Sequence, residues 1–497
     1  MNANQTQQQD LDVSRRAFLR RSAAFSLGFA GLHMAMGSGG SRLFAAEVNG
    51  AAGGLGKGGF GPLVKDPRGI FDLPKGFTYE IISRAGQKMD DGLVVPGRAD
   101  GMAAFAGPDG LTIIVCNYEL GPEMVQFSSF GKGNEGLAKI DAAKLFDRGR
   151  GIAPSLGGTT TLVYDTKTGK LQKQWLSLAG TNRNCAGGPT PWGSWLSCEE
   201  DVAVRGGNRE QSHGYVFEVP ATTKVELVDA VPIKAMGRFN HEAVCIDPRT
   251  GVVYLTEDRV DGLIYRFVPK ERGKLLMGGS LEALVITGSP SRDTGNLGKP
   301  SNEFPVLGDT KAIAIGTKFK CEWMAMDDVE SPKDDLRQRG YQSGAARFAR
   351  GEGMWWGHDS AYFACTSGGT ALMGQLWRYT PSTDESAPAT LAGEGVKAMN
   401  TKGGTLELFV EPNDSKVVQN ADNVTVSPSG ELFVCEDGEG PNRLLRVEPN
   451  GDVTTFARNA LSASELAGAC FSPDGTTLFV NIQTDHLTLA VRGPFGG

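Results

Sequence analysis

The feature that most constrains this chain is a recurring unit of roughly a dozen residues: a turn, a short apolar run and an acidic or amide end. Turns such as Pro108-Asp109-Gly110, Pro191-Trp192-Gly193, Asp247-Pro248-Arg249-Thr250-Gly251, Gly357-His358-Asp359-Ser360, Ser427-Pro428-Ser429-Gly430 and Ser472-Pro473-Asp474-Gly475 each precede an apolar run. The runs are 111–116, 195–198, 252–256, 361–365, 431–435 and 476–480, and most end on residues such as Glu119, Glu199-Glu200, Glu257-Asp258 or Glu436-Asp437. Turn-bounded runs of this length read as β-strands. Further strands are expected at 214–219, 262–267 and 375–379. A unit this small buries its apolar faces only against its neighbours, so about six copies predict radial stacking. The expected fold is therefore all-β, a six-bladed β-propeller, with two packed sandwiches as the alternative. Insertions at 269–345 and 381–404 are expected to cover one mouth. Helical patterning is confined to 137–147 and 332–338.

The N-terminus has its own logic. Ser14-Arg15-Arg16-Ala17-Phe18-Leu19 precedes a mildly apolar stretch at 23–36 and small residues up to Ala45-Ala46. That order reads as a twin-arginine export signal over 1–46, leaving 47–497 as a single propeller domain. The expected location is periplasmic or secreted, with the twin-arginine export machinery as a partner. The full chain carries a formal charge of −7, and removal of Arg15, Arg16, Arg20, Arg21 and Arg42 with Asp10 and Asp12 leaves it about three charges more negative. No nucleic-acid partner is expected of such a chain, and no run is long enough for a stable membrane anchor. Eight cysteines in an exported protein ordinarily suggest disulfides. Here Cys116, Cys245, Cys435 and Cys470 sit within or at the ends of apolar runs and are expected as buried free thiols.

The acidic strand ends carry the chemistry. Glu119, Glu199, Glu200, Glu257, Asp258, Glu436 and Asp437 recur at equivalent places, and carboxylates converging on one axis repel unless cations lie among them. Hard cations such as calcium suit them, whereas solvent-exposed turn residues are the plain alternative. Cys185 lies in the polar, glycine-rich loop 180–193, where Arg183 favours the thiolate; a thiolate beside carboxylates points to iron or another transition metal. Arg350 and Glu352, two residues apart, face the same way in an extended segment, one suited to an anion and the other to a metal. Asn240-His241-Glu242 and Asp422-Asn423 stand at similar places before other strands. Five histidines, one of them His33 in the signal, argue against a histidine-rich zinc site.

Taken in order, Asn184-Cys185-Ala186-Gly187-Gly188, Pro191-Trp192-Gly193, Cys198-Glu199-Glu200, Asn240-His241-Glu242, Arg350-Gly351-Glu352-Gly353, Asp422-Asn423 and Phe471-Ser472-Pro473-Asp474-Gly475 resemble the PhoX-type alkaline phosphatases. One departure is Gly351, where that family often has proline. The resemblance implies a six-bladed propeller that holds ferric iron and calcium and hydrolyses phosphate monoesters. It implies Cys185 as the iron thiolate, Glu242 and Glu352 as cluster ligands, Glu200 or Glu199 with Asp422 on the calcium side, and Arg350 as the catalytic, phosphate-binding arginine. Glu119 joins them by its place in the repeat. The mechanism implied is in-line attack by metal-activated hydroxide or bridging oxygen, with Arg350 clamping the phosphoryl oxygens. The alternatives are a calcium-dependent propeller hydrolase acting on lactones or phytate, and a non-catalytic ligand-binding propeller.

Overall fold

Turn-bounded apolar runs become antiparallel meanders. In the computed structural model, residues 59–298, 311–390 and 398–495 are described; the expected signal at 1–46 lies outside them. The unit is seen most simply where Ala99–Ala106 pairs with Leu111–Tyr118, which pairs with Gly157–Asp165, which pairs with Lys170–Thr181. The second strand is buried almost throughout, because a sheet lies against each of its faces; this is why its sequence is a continuous apolar run rather than an alternating one.

The innermost strands are Ala99–Ala106, Asn184–Pro189, His241–Ile246, Gly351–Gly357, Ala421–Val426 and Leu466–Phe471. Each packs against the next and the last against the first, which closes a ring. The ends of the chain complete it: Leu487–Arg492 pairs with Thr78–Arg84, and Phe71–Pro74 pairs with Val453–Asn459. The molecule is thus all-β and propeller-like.

The expectation of six separate sheets is corrected. Among the described residues, hydrogen bonding gives five sheets of 6, 3, 11, 4 and 4 strands. The large one arises because Lys318–Ala325 pairs with Gly279–Ile286 on one side and Thr405–Val410 on the other. An open outer edge is a site for unwanted pairing, and one added strand here covers two such edges. Much of the 269–345 insertion is therefore a sheet seam. Trp323 and Glu385, one from each insertion, meet there beside Arg266, Tyr254 and Tyr379. In the helical part of the first insertion, Arg337 of the helix Leu336–Gln342 reaches Asp261 at 2.9 Å and Glu257 at 3.8 Å. The helix expected over 137–147 is instead two short turns, Glu135–Lys139 and Ala142–Lys144. Asp141 separates them, extended and accepting the Ala143 N–H at 3.0 Å, which spends the backbone bond that a continuous helix needs.

Every inner strand slips register near its start, between residues 99 and 102, 184 and 187, 241 and 244, 351 and 354, 421 and 424, and 467 and 470. These are β-bulges, which re-aim a side chain that regular pleating would send sideways. The residues set within them are Asp100, Cys185, Glu242, Glu352, Asp422 and, in the sixth strand, Gly468. The ring is also tight. A Cβ on Gly101 would sit 2.6 Å from the Ala186 Cα, and one on Gly353 would sit 2.6 Å from the Asn423 Cα. Below the bulges, Met102, Met354, Trp355 and Val424 help fill the axis, leaving a cavity of about 20 Å³. Access is accordingly from the bulge side.

Candidate metal centre

Five of the six bulges deliver a side chain able to bind metal, and the following strand ends deliver more. Cys185, Glu200 and Glu242 bring donor atoms within 4.8 Å of one another. The same is true of Glu242, Glu352 and Asp422, of Asp422, Asp437 and Glu465, and of Asp100, Glu119 and Glu465. Successive groups share Glu242, Asp422 and Glu465, or lie side by side where the Cys185 Sγ comes 3.7 Å from the Asp100 Oδ2. All are buried except Asp437, which is half-buried.

Electrostatics makes this arrangement costly as it stands. Two carboxylates 4.8 Å apart repel by ~3.5 kcal/mol at an effective dielectric near 20. Eight carboxylates meet here, and the arginines paired with them are fewer. Arg98 binds the Glu119 Oε2 at 2.6 Å. Arg183 binds the Glu119 Oε1 at 2.8 Å and the Glu200 Oε2 at 3.2 Å. Arg350 donates to both Asp258 oxygens, at 2.7 and 2.8 Å, and to the Glu352 Oε1 at 2.9 Å. The remaining negative charge fits several bound cations. Donor chemistry agrees: groups of carboxylates suit hard cations, and the single thiol at Cys185 suits a softer one. Gln483 adds an oxygen, since its amide donates to Asp100 and Glu119 at 2.6 and 3.0 Å while its buried Oε1 has no hydrogen-bond partner.

The structure brings together Cys185, Glu200, Glu242, Glu352, Asp422, Glu119 and Arg350. Glu199 is a correction: its carboxylate is spent elsewhere, accepting from Asn182 N and Gly214 N at 2.8 Å and Tyr215 N at 3.2 Å, with His213 Nδ1 at 2.7 Å. Adjacent residues of a strand point opposite ways, so only one of Glu199 and Glu200 can face the axis. His213 also meets Asp147 at 3.2 Å, in a fully buried trio. Burial pulls the imidazole down, but the two carboxylates outweigh it and hold the pKa at about 10. Glu257 and Glu436, the residues paired like Glu199, also stay outside the groups. Glu436 is clamped by Arg443, and burial raises Glu257 to about 7 against the pull of Arg337. His241 lies outside the groups: burial lowers it to about 3, its Nε2–H donates to the Gly237 carbonyl, and its ring lies 3.6 Å from that of Phe239. All eight cysteines are free and buried; burial pushes the Cys116 thiol up to about 12 and raises Cys198, Cys245 and Cys365 well above the usual value.

Sequence reasoning missed Asp100 and Glu465 and left Asp437 as one strand end among several. Asp100 was readable in principle, because Arg98-Ala99-Asp100 repeats the spacing of Arg350-Gly351-Glu352. Glu465 directly precedes Leu466–Phe471, and its carbonyl accepts from Gln483 N as that of Arg98 accepts from Glu119 N, a place in the repeat that no sequence motif marked.

Comparison with known proteins gives the site a context. The family described as alkaline phosphatase PhoX matches residues 58–485. Among solved structures, Pseudomonas fluorescens PhoX in complex with vanadate, a transition-state analogue, aligns with a TM-score of 0.61 at 17% identity over 88% of this chain and 98% of that one. At that identity the likeness speaks for the fold. A protein of unknown function from Bacteroides thetaiotaomicron aligns with a TM-score of 0.41 at 10% identity, over 84% of this chain and 76% of that one. A gluconolactonase from Xanthomonas campestris aligns with a TM-score of 0.35 at 12% identity, over 87% and 98%. No curated protein sequence matches the chain. Because the family match runs through every inner strand that supplies the centre, the chain belongs to the PhoX alkaline phosphatase family.

Proposed function

We propose that the protein is a metal-dependent phosphomonoester hydrolase of the periplasm or extracellular space, exported by the twin-arginine machinery through a signal over 1–46 that leaves a single domain from 47 to 497. The observation that carries the enzymatic reading is the delivery of Asp100, Cys185, Glu242, Glu352 and Asp422 from one repeated bulge position into overlapping metal-competent groups with Arg350 alongside. The ring of six inner strands supports six blades, two of them fused edge to edge by Lys318–Ala325. Ferric iron is assigned to the group containing Cys185, and calcium to the all-carboxylate groups.

Bound metals would supply Lewis-acid polarisation of the phosphoryl oxygens and a nucleophile at accessible pH. The chain's own work is positional. Asp258 grips Arg350 through two parallel bonds, which fixes the plane of the guanidinium and leaves it beside Glu352. From there Arg350 neutralises charge spread over the phosphoryl group's outer oxygens as the leaving group departs. Met102, Met354 and Trp355 close the axis below, so the ester enters and phosphate leaves by the same mouth.

Protein purified with its metals intact should contain iron and calcium, hydrolyse a chromogenic phosphate monoester and show a visible thiolate-to-iron band that vanishes in Cys185→Ala. Colourless, iron-free protein with full activity would refute the iron assignment, and metal-replete protein inert toward monoesters would refute the phosphatase reading.

A further inference from the structure

The bulge repeat carries a second, cationic series. Two residues before each bulge ligand stand Arg98, Arg183 and Arg350, ahead of Asp100, Cys185 and Glu352. All three have positive φ, at 59°, 47° and 59°. A side chain pays for that backbone region, so three arginines held in it at one repeat position are a built feature. Around the ring, Ala99–Ala106 and Gly351–Gly357 are separated by two strands in either direction. Arg98 and Arg350 thus flank the centre from opposite sides, and Arg183 adjoins Arg98 through their shared partner Glu119. Arg183 is the most open of the three, with its side chain 28% exposed against 13% and 16% for Arg98 and Arg350. It also keeps a donor in reserve: its Nε is buried without a hydrogen-bond partner.

We propose that Arg98, across the centre from Arg350, and the adjoining Arg183 form a second guanidinium clamp that takes the outer oxygens of a dianionic phosphoryl group and makes the site selective for phosphate monoesters over diesters. A monoester presents three terminal oxygens and close to two charges near neutral pH, whereas a diester presents two such oxygens and one charge. Guanidiniums on two sides match the first and leave one donor set unsatisfied with the second. The plainer role, counter-charges that only hold Glu119 and Glu200, leaves the spare Nε donor and the exposure of Arg183 without purpose.

The inference rests on the phosphatase reading, and its test separates the two. Holoenzyme is prepared as wild type, Arg183→Gln, Arg183→Lys and Arg98→Gln, and metal content is measured alongside turnover of p-nitrophenyl phosphate and bis(p-nitrophenyl) phosphate. Inhibition and thermal stabilisation by inorganic phosphate and orthovanadate are measured on the same preparations. In Arg183→Gln, KM for the monoester and the phosphate inhibition constant should rise about tenfold with metal retained, while the diester changes less than about threefold. Arg183→Lys should recover part of the affinity but not the full monoester preference, because an ammonium lacks the fork of donors. Unchanged phosphate affinity and preference in metal-replete Arg183→Gln and Arg98→Gln would overturn the clamp. So would metal loss in Arg183→Gln and Arg183→Lys with phosphate affinity per remaining centre unaltered. Wild-type protein that phosphate stabilises through Arg183 but that hydrolyses no monoester would overturn the phosphatase reading and leave the clamp standing.

Discussion

Replacing Gly353 by alanine should cost the centre far more than it costs the fold. The added Cβ would meet three backbone atoms of the neighbouring inner strand: Asn423 Cα at 2.6 Å, Val424 N at 2.7 Å and Asp422 O at 2.8 Å. Ordinary contact begins at 3.4 Å, so the two strands must separate by about 0.8 Å, and no flexible side chain is there to yield instead. Overpacking of this kind costs about 1–3 kcal/mol. With an unfolding entropy of roughly 2 cal/mol/K per residue, a domain of this size loses about 1–3 °C in Tm for that penalty. The strands that must part are those bearing Glu352 and Asp422, which share one metal-competent group. Coordination distances tolerate only about 0.2 Å, so a shift several times larger should abolish binding at that group. Thermal melts and elemental analysis of preparations made with metals supplied test this together: a Tm within a few degrees of wild type, with bound metal reduced and monoesterase activity lost. Gly353→Ala with full metal content and normal turnover would refute the view that ring tightness assembles the centre.

The adjacent glutamates offer a contrast. Glu200→Gln should lower metal content and activity with little change in Tm, whereas Glu199→Gln removes a charge partner of buried His213 and should cost about 3 kcal/mol or more, read by chemical denaturation. The reverse pattern would exchange their roles. His213 should also make stability depend on pH. Its folded pKa near 10 lies above the unfolded value near 6.5, so its contribution is complete below about 6.5 and is lost as pH rises through 10. Asp147 has the opposite sign: burial raises it but the His213 bond and the Gly149, Glu210 and Gln211 N–H groups bring it down to about 2, so its contribution is present above about 3.8 and lost as pH falls through 2. The His213 contribution to the wild-type Tm should therefore fall between about pH 6.5 and 10, and that fall should be absent in His213→Gln; parallel curves would dismiss the trio. At the seam, Glu385 Oε1 accepts from Tyr379 at 2.6 Å, Trp323 at 2.9 Å and Tyr254 at 3.1 Å. Glu385→Ala should strand the buried hydroxyl donors of Tyr379 and Tyr254, Trp323 keeping its bond to the Tyr379 oxygen at 2.8 Å, and lower the Tm by several degrees with metal content unchanged, since each stranded group costs about 1–3 kcal/mol.

How much of this could be read beforehand differed from residue to residue. The apolar runs and their turns announced the strands because a strand buried on both faces must be apolar throughout, a local requirement visible along the chain. The fused eleven-stranded sheet was not visible, because Lys318–Ala325 pairs with strands remote in sequence and edge pairing depends on which edges the finished ring leaves open. Cys185, Glu242, Glu352 and Asp422 were legible through motifs. The choice between Glu199 and Glu200 was not, since a slip of one residue reverses the face a strand presents.

By itself, then, the amino-acid sequence determined an all-β chain of repeated units, a surplus of acidic strand ends and the residue types from which a metal centre can be made. Tertiary structure alone decided which of those acids share a centre, that Asp100 and Glu465 join them, and that Arg98 stands across the ring from Arg350 with Arg183 beside it. The physical reason is that charge and coordination depend on distance in space, and in a closed ring those distances are set by bulges and by glycine contacts between strands far apart in the chain.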